Sequence, residues 1–217
     1  MRRRITDLAK NFPFYYQVRG FLDRRRYAHE YQEWVASGRP VPPPHLAKQE
    51  VLRAIGKKFS YHVLVETGTY YGEMIEALKH DFDLLYTVEL SAYLYNLAVR
   101  RFRNATQIHV FQGNSAEKLP EILAKINQPA LFWLDGHYSS GITARGQQDT
   151  PIILELQAIL SAKDLGHAIV IDDARDFGSA PDYPSLADVR SMILSRWPDR
   201  DIRISNDSIQ ITPKYPG

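Results

Sequence analysis

Acidic residues stand where four apolar runs stop: Glu66 in "VLVETGTYYGEM", Glu89 in "LLYTVELS", Asp135 in "ALFWLDGHY", and the pair Asp172 and Asp173 in "HAIVIDDA". Runs this short and apolar read as buried strands, and ligands of an open α/β sheet bind outside the carboxyl ends of its strands. Carboxylates gathered there can accept hydroxyl hydrogen bonds, take up a proton, or hold a hard divalent cation. Between the first two acids lies a glycine turn, Gly68 followed four residues later by Gly72.

The bulk and charge of that turn narrow what it can hold. In a dinucleotide turn, Gly-x-Gly-x-x-Gly, the second glycine lets the backbone approach the pyrophosphate, and the helix N-terminus faces its charge. Counted from Gly68, the second and third glycine positions are Tyr70 and Glu73. A bulky ring and a carboxylate both oppose a pyrophosphate, so Glu66-x-Gly68-x-x-x-Gly72 suits a cofactor without phosphates. Such a cofactor retains a ribose, and an acid about 20 positions on, at the end of the second strand, would accept its two hydroxyls. Glu89 stands in that place; the alternative for it is a surface or capping role at the helix that Ser91 opens. S-adenosylmethionine meets these terms, with an adenine, a ribose, a cationic sulfonium and an amino-acid tail.

The second acidic cluster suggests a metal. The strands ending at Asp135 and at Asp172 and Asp173 are expected to be neighbours, about 4.8 Å apart, so the three carboxylates converge. Oxygen ligands of this kind suit Mg²⁺, and without a counter-ion they repel one another. A divalent cation there would lower the pKa of a substrate hydroxyl, and His137, two residues after Asp135, would serve as the base. The alternatives are strand-end capping for Asp135 and Asp172, and an adenine-stacking or backbone-bonded imidazole for His137. The loops "HYSSGITARGQQDTP" and "ARDFGSAPDYPS" follow these acids; Arg145, Arg175, Asp176 and Tyr183 are candidates to line an acceptor pocket. Their mixture of polar and aromatic groups suits a saccharide or glycosylated acceptor.

These residues must be positioned by a repeating framework. Short apolar runs at Tyr61–Val65, Leu84–Val88, Ile108–Phe111, Ala130–Leu134 and Ala168–Ile171 alternate with helical stretches near 73–80, 91–103, 115–126, 150–163 and 185–196. Five such βα repeats require a parallel sheet with helices on both faces, a doubly wound Rossmann-like α/β fold. The tail "DIRISNDSIQITPK" reads as an antiparallel hairpin turning at Asn206-Asp207. A helix from His45 to Lys58, ended by Gly56 and two lysines, precedes the first strand. In front of it, Pro40 and Pro42 to Pro44 mark a linker, dividing a helical arm (1–44) from the main domain (45–217).

The 217 residues allow one well-packed core and an appendage. The absence of cysteine excludes disulfides, thiolate metal sites and cysteine nucleophiles. No signal-like apolar segment is present, and the expected location is the cytoplasm. Residues 1–40 carry nine Lys/Arg against four Asp/Glu, leaving 18 against 21 in the remainder. This basic, aromatic arm, with Tyr27, Tyr31 and Trp34 among its rings, is expected to pack its aromatic side on the domain or to mediate a homodimer. Anionic membrane and nucleic acid are secondary candidates.

"VETGTYYGEM", "YTVELS", "VFQGNSAEKLPEI", "LFWLDGHY" and "IVIDDA", in this order and spacing, resemble the class I S-adenosylmethionine-dependent methyltransferases over residues 61 to about 175. The similarity is greatest to the metal-dependent O-methyltransferases typified by catechol and macrocin O-methyltransferases. The resemblance implies that Glu66, Thr67, Gly68, Thr69, Gly72, Glu89, Leu90, Asn114, Ser115 and Asp135 bind the cofactor. Gly68 and its neighbours would line the methionine part, Glu89 the ribose, and Asn114 and Ser115 the adenine edge. It implies that Asp135, Asp172 and Asp173 bind Mg²⁺, with Asp135 and His137 catalytic. The chain departs from the catechol type in lacking a lysine shortly after the first metal Asp, where "DGHYSSG" stands, which leaves the base open. The expected activity is methyl transfer to a hydroxyl of a saccharide, glycosylated or small metabolite. The alternatives are a metal-independent or nucleic-acid methyltransferase and a non-catalytic scaffold that binds the cofactor. No Asn/Asp-Pro-Pro-aromatic motif supports amino methylation.

Overall fold

The structure is a computed structural model that describes residues 13–136, 151–180 and 183–214. A helix α1 (Pro13–Ala36) leads into α2 (His45–Phe59), after which strands and helices alternate. These are β1 (Val63–Thr67), α3 (Glu73–Leu78), β2 (Leu84–Glu89), α4 (Ala92–Phe102), β3 (Ile108–Gln112), α5 (Ser115–Leu123), β4 (Ala130–Leu134), α6 (Ile152–Ser161) and β5 (Ala168–Ile171). A short 3₁₀ turn (Ala174–Asp176), α7 (Leu186–Arg196), β6 (Arg200–Ser205) and β7 (Ser208–Pro213) complete the chain. The seven strands form one sheet in the order β3-β2-β1-β4-β5-β7-β6. The first five are parallel, and β7 joins β5 antiparallel through the expected hairpin. Among the described residues, no helix is long and apolar enough to cross a membrane.

The alternating side chains of each strand divide the interior into two cores, because successive residues face opposite sides of a sheet. Val63, Val65, Phe132 and Ile169 meet α5, α6 and α7 on one face. Leu64, Leu131, Trp133 and Val170 meet α2, α3 and α4 on the other. This parity carries the strand-end polar groups: Glu66, Thr87, Glu89, Asp135 and Asp172 continue the series that faces α2, α3 and α4.

Two differences from the sequence reading bear on the site and its support. Strand β1 runs to Thr67 rather than Val65, so Glu66 lies within the sheet, its backbone in register with Thr87 and Trp133. Helix α2 does not end at Gly56. Gly56 sits inside it because the Phe82 ring packs there, 2.9 Å from where a Cβ would be, and the left-handed residue that closes the helix is Ser60. Arm helix α1 lies against α2: Tyr27 stacks on His45 at 4.9 Å, and the buried Trp34 donates its indole N–H to the Pro40 carbonyl at 2.7 Å.

Candidate functional site

The glycine turn is built by the ends of β1, β2 and β4. The Gly68 and Thr69 N–H groups donate to the Val88 carbonyl at 3.0 and 3.2 Å, and Asp135 N–H donates to the Thr67 carbonyl at 3.2 Å. Gly68 adopts φ +84° and lies directly against β4: a Cβ there would come within 2.4 Å of the Asp135 carbonyl oxygen. Both the dihedral and the contact require glycine. Gly72 opens α3 and leaves room for the Phe102 ring. Glu73, the residue that argues against a pyrophosphate, accepts a hydrogen bond from Tyr27 Oη at 2.6 Å, so α1 reaches the rim of this turn.

Glu89 is 5% exposed, and backbone donors hold its carboxylate: Tyr70 N–H to one oxygen and Ser91 N–H to the other, each at 2.8 Å. Burial raises its pKa, while the bonds from Ser91, Tyr70 and Leu90 oppose that rise. The acid therefore ties the end of β2 to the glycine turn, with acceptor positions remaining on both oxygens. The exposed Tyr70 and Leu90 side chains flank it. Glu66 takes a different place from its neighbours in the turn. It is 2% exposed and accepts from Thr87 Oγ1 at 2.6 Å, while Thr87 Oγ1 meets Thr69 Oγ1 at 2.5 Å. Burial pushes the Glu66 carboxyl well above the ordinary carboxylate range, against the Thr87 hydrogen bond, and the nearby Asp135 and Glu89 add to it. Thr67 is fully buried, with a hydroxyl that has no hydrogen-bond partner among the described residues. Asn114 caps α5 by accepting from Ala116 N–H at 2.9 Å, and Ser115 is buried beside it.

The second cluster is organised by a residue that the sequence reading did not single out. Asp172 N–H donates to the Leu134 carbonyl at 3.1 Å, confirming β4 and β5 as neighbours and bringing Asp135 and Asp172 to one edge. Into this edge α2 inserts Lys48, whose ammonium donates to Asp172 Oδ2 and lies 3.9 Å from Asp173 Oδ1. Burial opposes the lysine's charge, but the attraction of Asp172, Asp135 and Asp173 outweighs it and raises the Lys48 pKa. Asp173 adopts φ +53° and turns its carboxylate to Arg175, 2.8 Å away, which also pairs with the buried Asp207 at the hairpin turn. Tyr183 packs edge-on against Phe177 at 5.2 Å.

At the place where Mg²⁺ was expected, the described residues bring basic side chains to the acids. Asp135, Asp172 and Asp173 were expected to need a cation; Lys48 and Arg175 supply two, and each occupies a carboxylate oxygen that a metal would use. Lys48 engages Asp172 and Arg175 engages Asp173, and among the described residues no group of three His, Asp or Glu side chains is arranged to hold a metal ion. His137 and Arg145 lie outside the described residues. A cue to Lys48 existed in the sequence: it stands in the first turn of α2, which has no acidic residue and no side-chain cap, where a cation is electrostatically disfavoured. Thr87 and Asp207 gave no such cue, since their partners lie 21 and 32 residues away.

No protein-family model matches the chain, and no curated protein matches it significantly. Solved structures do. The O-methyltransferase TomG of Streptomyces achromogenes, involved in tomaymycin synthesis and solved with S-adenosylmethionine, superposes with a TM-score of 0.58 at 15% identity, covering 86% of this chain and 88% of its own. The fold is that of the S-adenosylmethionine-binding O-methyltransferases. An O-methyltransferase from Bacillus cereus bound to S-adenosylhomocysteine shares this methyltransferase fold with a TM-score of 0.56 at 14% identity, over 86% of this chain and 90% of that one. The Podospora anserina methyltransferase PaMTH1, also bound to S-adenosylhomocysteine, aligns with a TM-score of 0.54 at 15% identity, over 77% and 78%.

Proposed function

We propose that the chain is an S-adenosylmethionine-dependent methyltransferase acting on a hydroxyl of a saccharide, glycosylated or small metabolite. The observation that carries this reading is the pairing of a phosphate-free glycine turn with Glu89, held by Tyr70 and Ser91 N–H beside it. The donor set fits the cofactor: Glu89 and Asp135 make the edge acidic, which favours a sulfonium and an α-ammonium and repels a pyrophosphate.

Bound S-adenosylmethionine would supply an electrophilic methyl group on a sulfonium, which departs as a neutral thioether when an acceptor oxygen attacks in line. The chain's own part is alignment. Glu89 accepts the ribose hydroxyls, Tyr70 and Leu90 wall the adjoining apolar surface, and Gly68 lets the backbone approach the methionine portion. Asn114 and Ser115 border the adenine. Asp135 follows β4, which lies between β1 with its glycine turn and β5 with Asp172, and His137, two residues on, is the proposed base that takes the hydroxyl proton. The test is incubation of the full-length protein with methyl-labelled S-adenosylmethionine and a panel of sugars and glycosides, read by mass spectrometry. Label on an acceptor oxygen supports the reading; label confined to nucleic acid or to amino groups contradicts it.

A further inference from the structure

We propose that Lys48 is the resident cation of the acidic edge, a positioning residue that takes the place between Asp172, Asp173 and Asp135 that a divalent ion would otherwise occupy. The inference rests on the methyltransferase reading only for its consequence, that the acceptor is oriented beside an ammonium rather than on a metal.

Three observations carry it. First, α2 is fixed in rotation by the buried Ala47, Leu52 and Ile55, and this delivers Lys48 to the carboxyl ends of β4 and β5. Second, the ammonium is partly buried, its side chain 19% exposed, and it holds Asp172, whose side chain is 1% exposed. The other oxygen of that carboxylate, Oδ1, is buried with no hydrogen-bond partner among the described residues, so Lys48 is the main compensation for its charge. Third, the place runs against local helix preference. A lysine in a first helical turn faces the positive end of the helix dipole, and here the opposing charge comes from β5, 124 residues away in sequence, rather than from the helix itself. Arg175 completes the arrangement by engaging Asp173 together with Asp207. Side chains thus offset part of the edge's negative charge, and the lysine side chain stays partly open to solvent.

The proposal is tested with Mn²⁺ as the probe on the full-length protein, by calorimetry and by electron paramagnetic resonance of the free ion. The wild-type protein is expected to show no binding below about 1 mM, the range of weak carboxylate sites. Lys48→Met keeps the length of the side chain and removes its charge; it is expected to gain Mn²⁺ affinity by about tenfold or more, because the net charge of the ligand set tunes the affinity of a carboxylate site. Adding Asp172→Asn should abolish the gain. Tight Mn²⁺ binding by the wild-type protein, or no gain in Lys48→Met, overturns the proposal. If Lys48→Met does not fold, Lys48→Gln takes its place, and the wild-type titration alone remains able to refute. S-adenosylhomocysteine binding, measured on the same samples, separates the two readings: its absence in the wild type sinks the methyltransferase assignment and leaves the Mn²⁺ result to judge Lys48.

Discussion

Replacing Gly68 by alanine tests the close approach on which the turn depends. The new Cβ would lie 2.4 Å from the Asp135 carbonyl oxygen, 2.9 Å from the carbonyl carbon and 3.1 Å from Gly136 Cα, all backbone atoms. Ordinary contact begins near 3.4 Å, so β1 and β4 must part by about 1 Å at the edge where Asp135 N–H bonds the Thr67 carbonyl. The left-handed backbone, φ +84°, adds about 1–2 kcal/mol of strain to about 1–3 kcal/mol of overpacking. The total, about 2–5 kcal/mol, corresponds to a fall in Tm of about 4–20 °C for a chain of this size. Gly166 is the control. It has φ +89° and nothing within 4 Å of a Cβ, so Gly166→Ala carries only the strain, about 1–2 kcal/mol. Thermal unfolding of both variants isolates the contact from the dihedral, and a displaced turn should also weaken S-adenosylhomocysteine binding by about tenfold or more. If Gly68→Ala loses no more stability than Gly166→Ala and binds the cofactor product normally, the reasoning about this turn is wrong.

Glu66 makes stability depend on pH. Its folded-state pKa lies above the unfolded value, so the folded chain holds more protons between the two, and stability falls as pH rises from the ordinary carboxyl value of 4.5 through the folded value. Glu66→Gln, neutral throughout, should flatten that part of the Tm–pH profile; parallel profiles for the two proteins would count against a buried, protonated Glu66. Tyr27→Phe removes the hydrogen bond to Glu73 and should lower stability by about 1 kcal/mol in denaturant unfolding, whereas no change would show that α1 gains nothing from its contact with the turn.

The five parallel strands, the neighbouring β4 and β5, and the C-terminal hairpin were legible because apolar runs, crossover helices and turn residues are local signals. The acids and glycines of the site were legible for the same reason. The role each acid plays was not. Glu66 and Thr67 are polar and looked like turn residues, yet β1 continues through them because Thr87, on the next strand, satisfies Glu66 inside the sheet. The carboxylates at 135, 172 and 173 were expected to need a cation, and Asp172 and Asp173 meet Lys48 and Arg175. The source of that charge is an ammonium on a helix far away in sequence, a pairing that spacing along the chain cannot reveal. Gly56 misled in a similar way, since its role is set by the Phe82 ring packed on it rather than by its own conformational freedom.

Calorimetric titration of the full-length protein with S-adenosylhomocysteine and, separately, with NAD decides whether this edge takes a phosphate-free nucleoside cofactor. Saturable binding of the first and none of the second is expected, because Tyr70 and Glu73 stand where a pyrophosphate would lie. Saturable NAD binding with no response to S-adenosylhomocysteine would contradict the account.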